Sequence, residues 1–264
     1  MTPGPDTPTI LNGYGGFAIS ETPVWAPTVS AWCEAGGLYA IAGLRGGYEH
    51  GEDWHQAGRR GTKQNVFDDF HAAGDWLVSS GYTTRDRLAI AGGSNGGLLV
   101  GVALTQRPWA YRAVWCAVPL LDMIRFPEFL IARLWTDEFG DPDVAEEFAW
   151  LHAYSPYHHV IDDVAYPAVL LTTAEGDSRV DALHARKMAA LLQHAGADQD
   201  EHPVFLHQEG PSRPRRRQAR AHAGRRTHRR PRLPRLATRR HRPDVILAIY
   251  QDSSSASGSA RRAR

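Results

Sequence analysis

A glycine-rich segment surrounds one serine whose neighbours could make it a nucleophile. Gly92-Gly-Ser94-Asn-Gly96 follows the apolar run Leu88–Ala91 and precedes the helix-compatible segment Leu98–Leu104. The pattern G-x-S-x-G between a strand and a helix is typical of a nucleophile elbow, a tight turn that exposes the serine hydroxyl above a sheet. We therefore predict that Ser94 attacks a carbonyl carbon while the N–H of Asn95 stabilises the oxyanion.

The tightness of the predicted turn accounts for the glycines on both sides of the serine. Bulky side chains there would collide with the returning backbone, so we expect Gly92, Gly93, Gly96 and Gly97 to be required. The alternative is a glycine-rich turn without chemistry. The strand before it and the helix after it argue against that alternative.

A serine nucleophile on such a fold needs an acid and then a histidine later in the chain. Asp177 meets the requirement for the acid because it lies in a turn just past the strand-like run Ala168–Thr173, and Glu175 in the same turn is the competing acid. A buried acid would orient the histidine and stabilise its charged form. The histidine is expected a few residues after the next strand-like run, Pro203–Leu206, and it is missing there.

The elements that must position these residues alternate between strand-like and helical patterns from Thr9 to Glu209. Such alternation predicts a mostly parallel sheet with helices on both faces, and with the elbow it indicates an α/β-hydrolase fold. Buried strands are predicted at residues 38–44, 88–91, 113–118, 168–173 and 203–206.

Helices are predicted between these strands. One begins at an Asn65 cap and ends near Gly81, because Val66, Phe70, Ala73 and Leu77 recur at i, i+4, i+7 and i+11. Another runs from Asp181 to His194 before Gly196. The aromatic-rich stretch 122–159 is interrupted by three prolines and is expected to form helical excursions that shape a substrate pocket.

Composition limits the class of protein. The 264 residues are 42% hydrophobic and 22% charged, which is ordinary for a soluble globular domain. No run approaches the roughly 20 apolar residues of a membrane span, and the start lacks the pattern of a secretory signal. We expect a cytoplasmic protein without a membrane partner. Cys33 and Cys116 are too few for a disulfide framework or a zinc site, so neither a metal nor a cofactor is expected.

The net charge of +1 hides two different compositions. Residues 211–264 contain 17 Arg, no Lys and two acidic residues, whereas residues 1–210 contain 13 basic and 27 acidic residues. After Gly210 the hydrophobic periodicity stops and aliphatic residues are scarce until Val245. We predict a folded domain over 1–210 and a disordered Arg-rich tail over 211–264.

Several motifs in order resemble the prolyl oligopeptidase family of serine peptidases. They are Tyr14-Gly-Gly-Phe17, Gly43-Leu-Arg-Gly-Gly47, Lys63-Gln-Asn-Val-Phe-Asp-Asp69, Gly92-Gly-Ser-Asn-Gly-Gly-Leu-Leu99, Trp135 and Asp177-Ser-Arg-Val180. The resemblance covers roughly residues 9–210. It implies cleavage of short peptides after proline, with Ser94 as the nucleophile and Asp177 as the triad acid.

The resemblance also implies roles for residues outside the triad. The Tyr14 hydroxyl would join the Asn95 N–H in the oxyanion hole. The indole of Trp135 would stack on the substrate proline, a flat apolar ring that an indole face accommodates. Phe17 and Val180 would line this pocket, and Arg179 would hold a substrate carbonyl. Phe139 would also contact the substrate, at a pocket position where the family often carries tyrosine, so that a pocket hydroxyl is lost.

The sequence departs from the family in three places. The family's β-propeller and the first strands of its hydrolase domain have no counterpart in this sequence. In addition, Pro211–Arg217 replaces the family's Gly-His-Gly segment. We interpret the replacement as a frameshift, because one set of GC-rich codons for Ser212–Arg217 encodes Ala-Gly-His-Gly-Gly-Ala when it is read one nucleotide later. Without its histidine the site is expected to be inactive, since His202, His207 and His222 lie outside the expected turn.

Two other functions remain open at this point. One is an esterase or acylaminoacyl peptidase without a propeller, against which the pair Trp135 and Arg179 argues. The other is a nucleic-acid-binding arm formed by residues 211–264, because clustered arginines neutralise phosphates. The absence of lysine and the single aromatic residue of that segment, Tyr250, argue against a nucleic-acid partner. The sequence defines no oligomeric state.

Overall fold

The computed structural model of the chain describes residues 2–22 and 24–210, and the backbone of residues 235–240 and 246–251. Eight strands form one sheet in the order β6-β5-β4-β3-β1-β2-β8-β7. The strands are β1 (Thr9–Gly13), β2 (Leu38–Gly43), β3 (Leu88–Gly93), β4 (Ala113–Ala117), β5 (Ala168–Ala174), β6 (Val204–Glu209), β7 (Arg235–Arg240) and β8 (Ile246–Gln251).

Strands β1 to β6 are all parallel, so their carboxyl ends lie at one edge of the sheet. The register aligns Thr9 of β1 with Leu38 of β2 and with Leu88 of β3. Strand β1 therefore lies between β2 and β3. The residues that follow β1, β3 and β5 are brought to the same edge, which is where α/β enzymes bind their ligands.

Seven α-helices connect or flank these strands in the described part of the chain. They are α1 (Pro27–Glu34), α2 (Glu52–Gln56), α3 (Gln64–Ser79), α4 (Asn95–Gln106), α5 (Thr136–Phe139), α6 (Ala145–Tyr154) and α7 (Leu183–Ala195). The predicted mostly parallel α/β-hydrolase fold is confirmed, and all five predicted strands are present as β2 to β6 with ends that differ by up to three residues.

The core lies between the sheet and helices α3, α4 and α7. Helix α3 buries Val66, Phe70, Ala73 and Leu77, the residues whose periodicity predicted it. Its predicted cap is wrong, because Asn65 lies within the helix and its side-chain amide donates to the Ala57 carbonyl at 2.8 Å. Every residue of α4 from Asn95 to Leu104 is buried, so this helix is covered on all sides.

Residues 122–159 form the predicted helical excursions. They contain α5, α6 and three short 3-10 helices, one of which is Ala132–Trp135. Because Ala132–Trp135 leads directly into α5, Trp135, Glu138 and Phe139 lie on one compact segment.

The region after Gly210 differs in part from the predicted disordered tail. Residues 235–240 and 246–251 form β7 and β8, and β8 pairs antiparallel with β2. Edge strand β2 offers unpaired backbone groups, and the apolar run from Ile246 to Tyr250 has the β-propensity to pair with them. The proposed frameshift at 212–217 and His222 lie outside the described residues.

One face of the sheet carries exposed apolar side chains. Burial alternates along β4 and β5, so Val114 and Leu171 point into the core whereas Trp115 and Leu170 lie on the other face, 51% and 39% exposed. Within the described residues, no helix has the length and apolar character needed to cross a membrane.

Candidate active site

Ser94 occupies the tight turn between β3 and α4. Its φ of 57° and ψ of −117° form a conformation that costs a residue with a side chain about 1–3 kcal/mol. The turn is held by backbone hydrogen bonds, from the Ser94 N–H to the Ala117 carbonyl at 2.9 Å and from the Gly97 N–H to the Ser94 carbonyl at 2.9 Å. This strand–turn–helix geometry is that of a nucleophile elbow, and it leaves Ser94 half-buried at the carboxyl edge of the sheet.

Close backbone contacts explain three of the glycines around this serine. A Cβ at Gly92 would lie 2.1 Å from the Gly96 carbonyl oxygen, one at Gly96 would lie 2.8 Å from the Gly13 carbonyl oxygen, and one at Gly97 would lie 2.8 Å from Cα of Pro119. None of the three positions has space for a side chain. At Gly93 the nearest atoms would be 3.7 Å away, so the expectation that Gly93 is required is wrong.

Tyr14 directly follows β1 and lies beside Ser94. Burial raises the pKa of the Tyr14 phenol above its ordinary value of 10.0, while a hydrogen bond with the Ser94 side chain and the positive charge of Arg179 oppose that rise. The phenol is therefore a neutral donor throughout the physiological pH range. Two predicted site residues that are 80 positions apart in sequence thus meet because β1 and β3 are neighbours.

Asn95 connects the elbow to Tyr14. Its side chain is 2% exposed, and its amide nitrogen donates to the Tyr14 carbonyl at 2.6 Å. Its backbone N–H belongs to the first turn of α4, where amide groups have no acceptor within the helix. The Tyr14 hydroxyl and the Asn95 N–H are thus two donors close to Ser94 that can stabilise an oxyanion.

Three aromatic residues gather beside these donors. The ring of Phe17 contacts Trp135 edge-on at 6.4 Å between centroids, and Phe139 at 5.5 Å. Phe17 and Trp135 are half-buried and open to a ligand. Phe139 has no exposed surface, because Phe17 covers it on one side and Phe126 packs against it at 5.6 Å. The predicted direct contact of Phe139 with substrate is therefore corrected to a supporting position behind Phe17.

The turn after β5 holds the predicted acid. Asp177 is half-buried, and its Oδ1 accepts the backbone N–H groups of Arg179 at 2.8 Å and Val180 at 3.0 Å. The competing Glu175 is exposed and donates its N–H to the Glu209 carbonyl at 2.9 Å, which extends the pairing of β5 with β6. Arg179 is exposed, whereas Val180 is 5% exposed and has little surface left for a substrate.

No histidine within residues 2–22 and 24–210 hydrogen-bonds to the Ser94 hydroxyl. His207 pairs with Thr172 in the middle of β6, so it lies short of the carboxyl edge. His202 precedes β6 at the opposite edge, where its ring nitrogen lies 3.4 Å from the Arg112 guanidinium. The geometry thus agrees with the sequence reasoning on His202 and His207, while His222 lies outside the described residues.

Three polar residues to which the sequence reasoning gave no role, Lys63, Glu138 and His55, lie directly behind the site. The Lys63 ammonium is 1% exposed and donates to the Gly15 carbonyl at 3.0 Å and to Glu138 Oε1 at 3.1 Å. Glu138 Oε1 also accepts the Phe17 N–H at 3.0 Å, and Glu138 Oε2 contacts the His55 ring at 2.9 Å. The family-like motif Lys63–Asp69 was the sequence feature that could have directed attention to this cluster.

The electrostatics of this cluster favour an ion pair. Burial lowers the pKa of Lys63, and the adjacent Glu138 opposes that effect. Burial by itself would raise the pKa of Glu138, but the charge of Lys63 and the hydrogen bonds from His55 and Phe17 outweigh it and hold that pKa below its ordinary value. Glu138 is therefore ionised at neutral pH.

Comparison with known proteins relates this chain to the prolyl oligopeptidases. The family model described as the prolyl oligopeptidase family matches residues 25–221. Prolyl oligopeptidase ophP from Omphalotus olearius is 44% identical over 191 residues, which are 71% of this chain and 26% of that protein. Prolyl endopeptidase from Elizabethkingia miricola is 43% identical over 187 residues, 70% of this chain and 26% of that protein. The chain thus spans about a quarter of the length of these relatives.

Solved structures agree with the sequence comparison. A chain described under "Structural and Mechanistic Analysis of Two Prolyl Endopeptidases" has a TM-score of 0.75 and 52% identity, and the match covers 78% of this chain and 30% of that chain. Prolyl oligopeptidase B from Galerina marginata, bound to a 35mer hydrolysis and macrocyclization substrate, also has a TM-score of 0.75, with 38% identity over 79% of this chain and 30% of that chain.

Proposed function

Because the chain belongs to the prolyl oligopeptidase family of serine peptidases, we propose that its site cleaves peptide bonds after proline in short peptides through an acyl-enzyme on Ser94. One observation carries this proposal: the Ser94 elbow lies beside the Tyr14 phenol, and the Phe17–Trp135 aromatic pair is next to them. The nucleophile, the oxyanion donors and an apolar pocket are therefore adjacent.

The proposed reaction follows from these positions. Ser94 Oγ attacks the carbonyl carbon of the proline residue and gives its proton to a base. The carbonyl oxygen becomes an oxyanion, which the Tyr14 hydroxyl and the Asn95 N–H stabilise. Collapse of this intermediate expels the amine, which takes the proton, and leaves an ester on Ser94 that water hydrolyses.

The pocket supports proline as the residue before the cleaved bond. A proline ring is flat and apolar, and it fits against the indole face of Trp135, with Phe17 packed edge-on as the side wall. Arg179 is exposed near Tyr14, where its guanidinium can donate to a substrate carbonyl. The peptide bound to the Galerina relative is consistent with a peptide substrate.

The base is the component that this chain does not supply among its described residues. We propose that Asp177 is the acid that orients a histidine, and that the family's histidine segment belongs just after β6, at the edge where Asp177 lies. Loss of one triad member typically costs about 10⁴–10⁶ in rate. The chain is therefore expected to acylate slowly unless that segment is restored.

A labelling experiment tests the proposal. The purified chain, a Ser94→Ala variant and a version with Ala-Gly-His-Gly-Gly-Ala in place of residues 212–217 are treated with a fluorophosphonate probe, and the restored version is then assayed on peptide anilides that end in proline or alanine. We expect strong labelling and a preference for proline only in the restored version. Strong labelling of the unrestored chain would contradict the proposed inactivity, and equal use of both anilides would contradict proline specificity.

The other candidate functions have no support among the relatives described above, none of which is named for an esterase or a nucleic-acid-binding protein. Cys33 and Cys116 are buried and are not joined in a disulfide. Cysteines outside disulfides suit a reducing compartment, which supports a cytoplasmic location.

A further inference from the structure

The loop Tyr14–Phe17 is held by side chains from three different parts of the chain. Asn95 donates to the Tyr14 carbonyl at 2.6 Å, and Lys63 donates to the Gly15 carbonyl at 3.0 Å. Glu138 accepts the N–H of Phe17 at 3.0 Å. The peptide groups of the loop are thus fixed by partners that lie outside the loop itself.

Backbone strain makes these external partners necessary. Phe17 has a φ of 56° and Ala18 a φ of 53°, a left-handed conformation that residues with a Cβ rarely adopt. Strained residues persist only where the surrounding structure over-determines them. The bond from Phe17 to Glu138 acts at the strained position and fixes the direction in which the Phe17 ring points, which is toward Trp135 and Phe139.

Glu138 also belongs to the segment that carries the pocket. It lies three residues after Trp135, and both of its oxygens have partners, because His55 contacts Oε2 while Lys63 and Phe17 share Oε1. A carboxylate with both oxygens engaged and 5% exposure has little rotational freedom. The Lys63 ammonium contacts both the Tyr14–Phe17 loop, at the Gly15 carbonyl, and this segment, at Glu138.

We infer that the buried Lys63–Glu138 ion pair is a positioning device. It holds the Tyr14 phenol, which is the proposed donor to the oxyanion, at a fixed position relative to the proposed proline pocket at Trp135. The catalytic meaning of this inference rests on the proposed function. Lys63 and Glu138 act through the loop and the pocket segment and touch no reacting atom. Breaking the pair therefore loosens the Tyr14–Phe17 loop locally.

The chain offers a matched control. Lys187 also pairs with a buried carboxylate, that of Asp122, and its ammonium also lies over an aromatic ring, 4.1 Å from the centroid of Tyr157. The corresponding distance from Lys63 to the Phe139 ring is 5.2 Å. Lys63→Met and Lys187→Met therefore both remove an ammonium that pairs with a buried carboxylate and lies over an aromatic ring, although the Lys187 side chain is 21% exposed and that of Lys63 is 1% exposed. Of the two lysines, Lys63 contacts the loop.

Hydrogen–deuterium exchange on the full chain tests the inference without catalysis. In Lys63→Met the amides of residues 17–19 should exchange at least about tenfold faster than in the unmodified chain, because the charge-assisted bond at Phe17 is weakened. In Lys187→Met the same amides should stay within about twofold. Unchanged protection in a folded Lys63→Met, or an equal loss in both variants, would overturn the inference. If Lys63→Met does not fold, Glu138→Gln removes the charge, keeps the side-chain shape and is judged by the same criterion.

A binding measurement separates this inference from the proposed function. A blocked dipeptide boronate that ends in boroproline accepts a lone pair from Ser94 Oγ at boron, and the hydroxyl proton passes to solvent, which leaves a tetrahedral anion at the oxyanion position. The measurement uses the version with the restored histidine segment, in which we expect the Kd to rise at least about tenfold in Lys63→Met and less than about twofold in Lys187→Met. If the restored version with Lys63 intact binds no boronate, the proposed function fails, and the exchange rates still decide the positioning role.

Discussion

Replacing Tyr14 with phenylalanine tests the proposed oxyanion hole most directly. The change removes only the hydroxyl that lies beside Ser94, and it keeps the ring and the backbone carbonyl that Asn95 holds at 2.6 Å. The Asn95 N–H would remain as the donor on the elbow. Removal of one of two oxyanion donors typically lowers kcat by about 10²–10³, which corresponds to about 2.7–4 kcal/mol of transition-state stabilisation.

The assay uses the version with the restored histidine segment and a proline anilide. We expect kcat to fall by about 100-fold with KM within about twofold, because the oxyanion forms only after the substrate has bound. Tyr48→Phe is the control, since Tyr48 is 46% exposed. Its kcat should match that of the unmodified enzyme.

The pH dependence of this effect has a definite sign. Burial raises the pKa of Tyr14 above 10.0, so the donor form is present below that pKa and is lost only when the pH rises through it. The ratio of the two kcat values should therefore stay constant between about pH 6 and pH 9. A loss in kcat of less than about threefold, or an effect confined to KM, would refute the assignment of Tyr14 to the oxyanion hole.

Three further predictions concern the pocket and the core. Trp135→Ala should raise KM for a proline anilide at least about tenfold while KM for an alanine anilide changes less, because the stacking surface and the contact with Phe17 are lost. Phe139→Ala should lower the free energy of unfolding in urea by about 3–5 kcal/mol, since the ring is fully buried. Burial lowers the pKa of His71 and of His184 to about 4, so their neutral forms stabilise the fold fully above pH 6.5. When the pH falls from 7 to 4.5, each histidine should lower the free energy of unfolding by about 2 kcal/mol. Urea unfolding at the two pH values checks this, and a double change to glutamine should flatten the difference.

The sequence was sufficient for the parts of the molecule that depend on local pattern. The runs that became β2 to β6 are continuous apolar segments bounded by turns, and the α3 periodicity identified its buried face. The elbow at Ser94 could be predicted because close backbone packing at Gly92 and Gly97 requires glycine, which is visible in the sequence. Strand β1 was not predicted because Thr9–Gly13 mixes polar and apolar residues. Strand β8 was not predicted because its pairing partner, β2, is distant in sequence.

Contacts between distant segments were decided by the tertiary structure. Tyr14 meets Ser94 only because β1 is inserted between β2 and β3, and no local pattern encodes that strand order. Tertiary packing also explains why Phe139, which was predicted to contact the substrate, supports the pocket from behind: the Phe17 ring packs over it. A side chain's exposure depends on what covers it, which residue type alone does not specify.

The sequence by itself determined the fold class and the residue types at the site, because hydrophobic periodicity and glycine spacing act over a few residues. Only the tertiary structure showed that Lys63 is buried and joined to Glu138 behind the site, 75 positions away in sequence. A lysine in a sequence reads as a solvated charge, and it becomes a buried ion pair only where the fold supplies a carboxylate and excludes water. Burial and charge pairing depend on contacts between distant segments, so the Lys63–Glu138 pair could be recognised only in the tertiary structure.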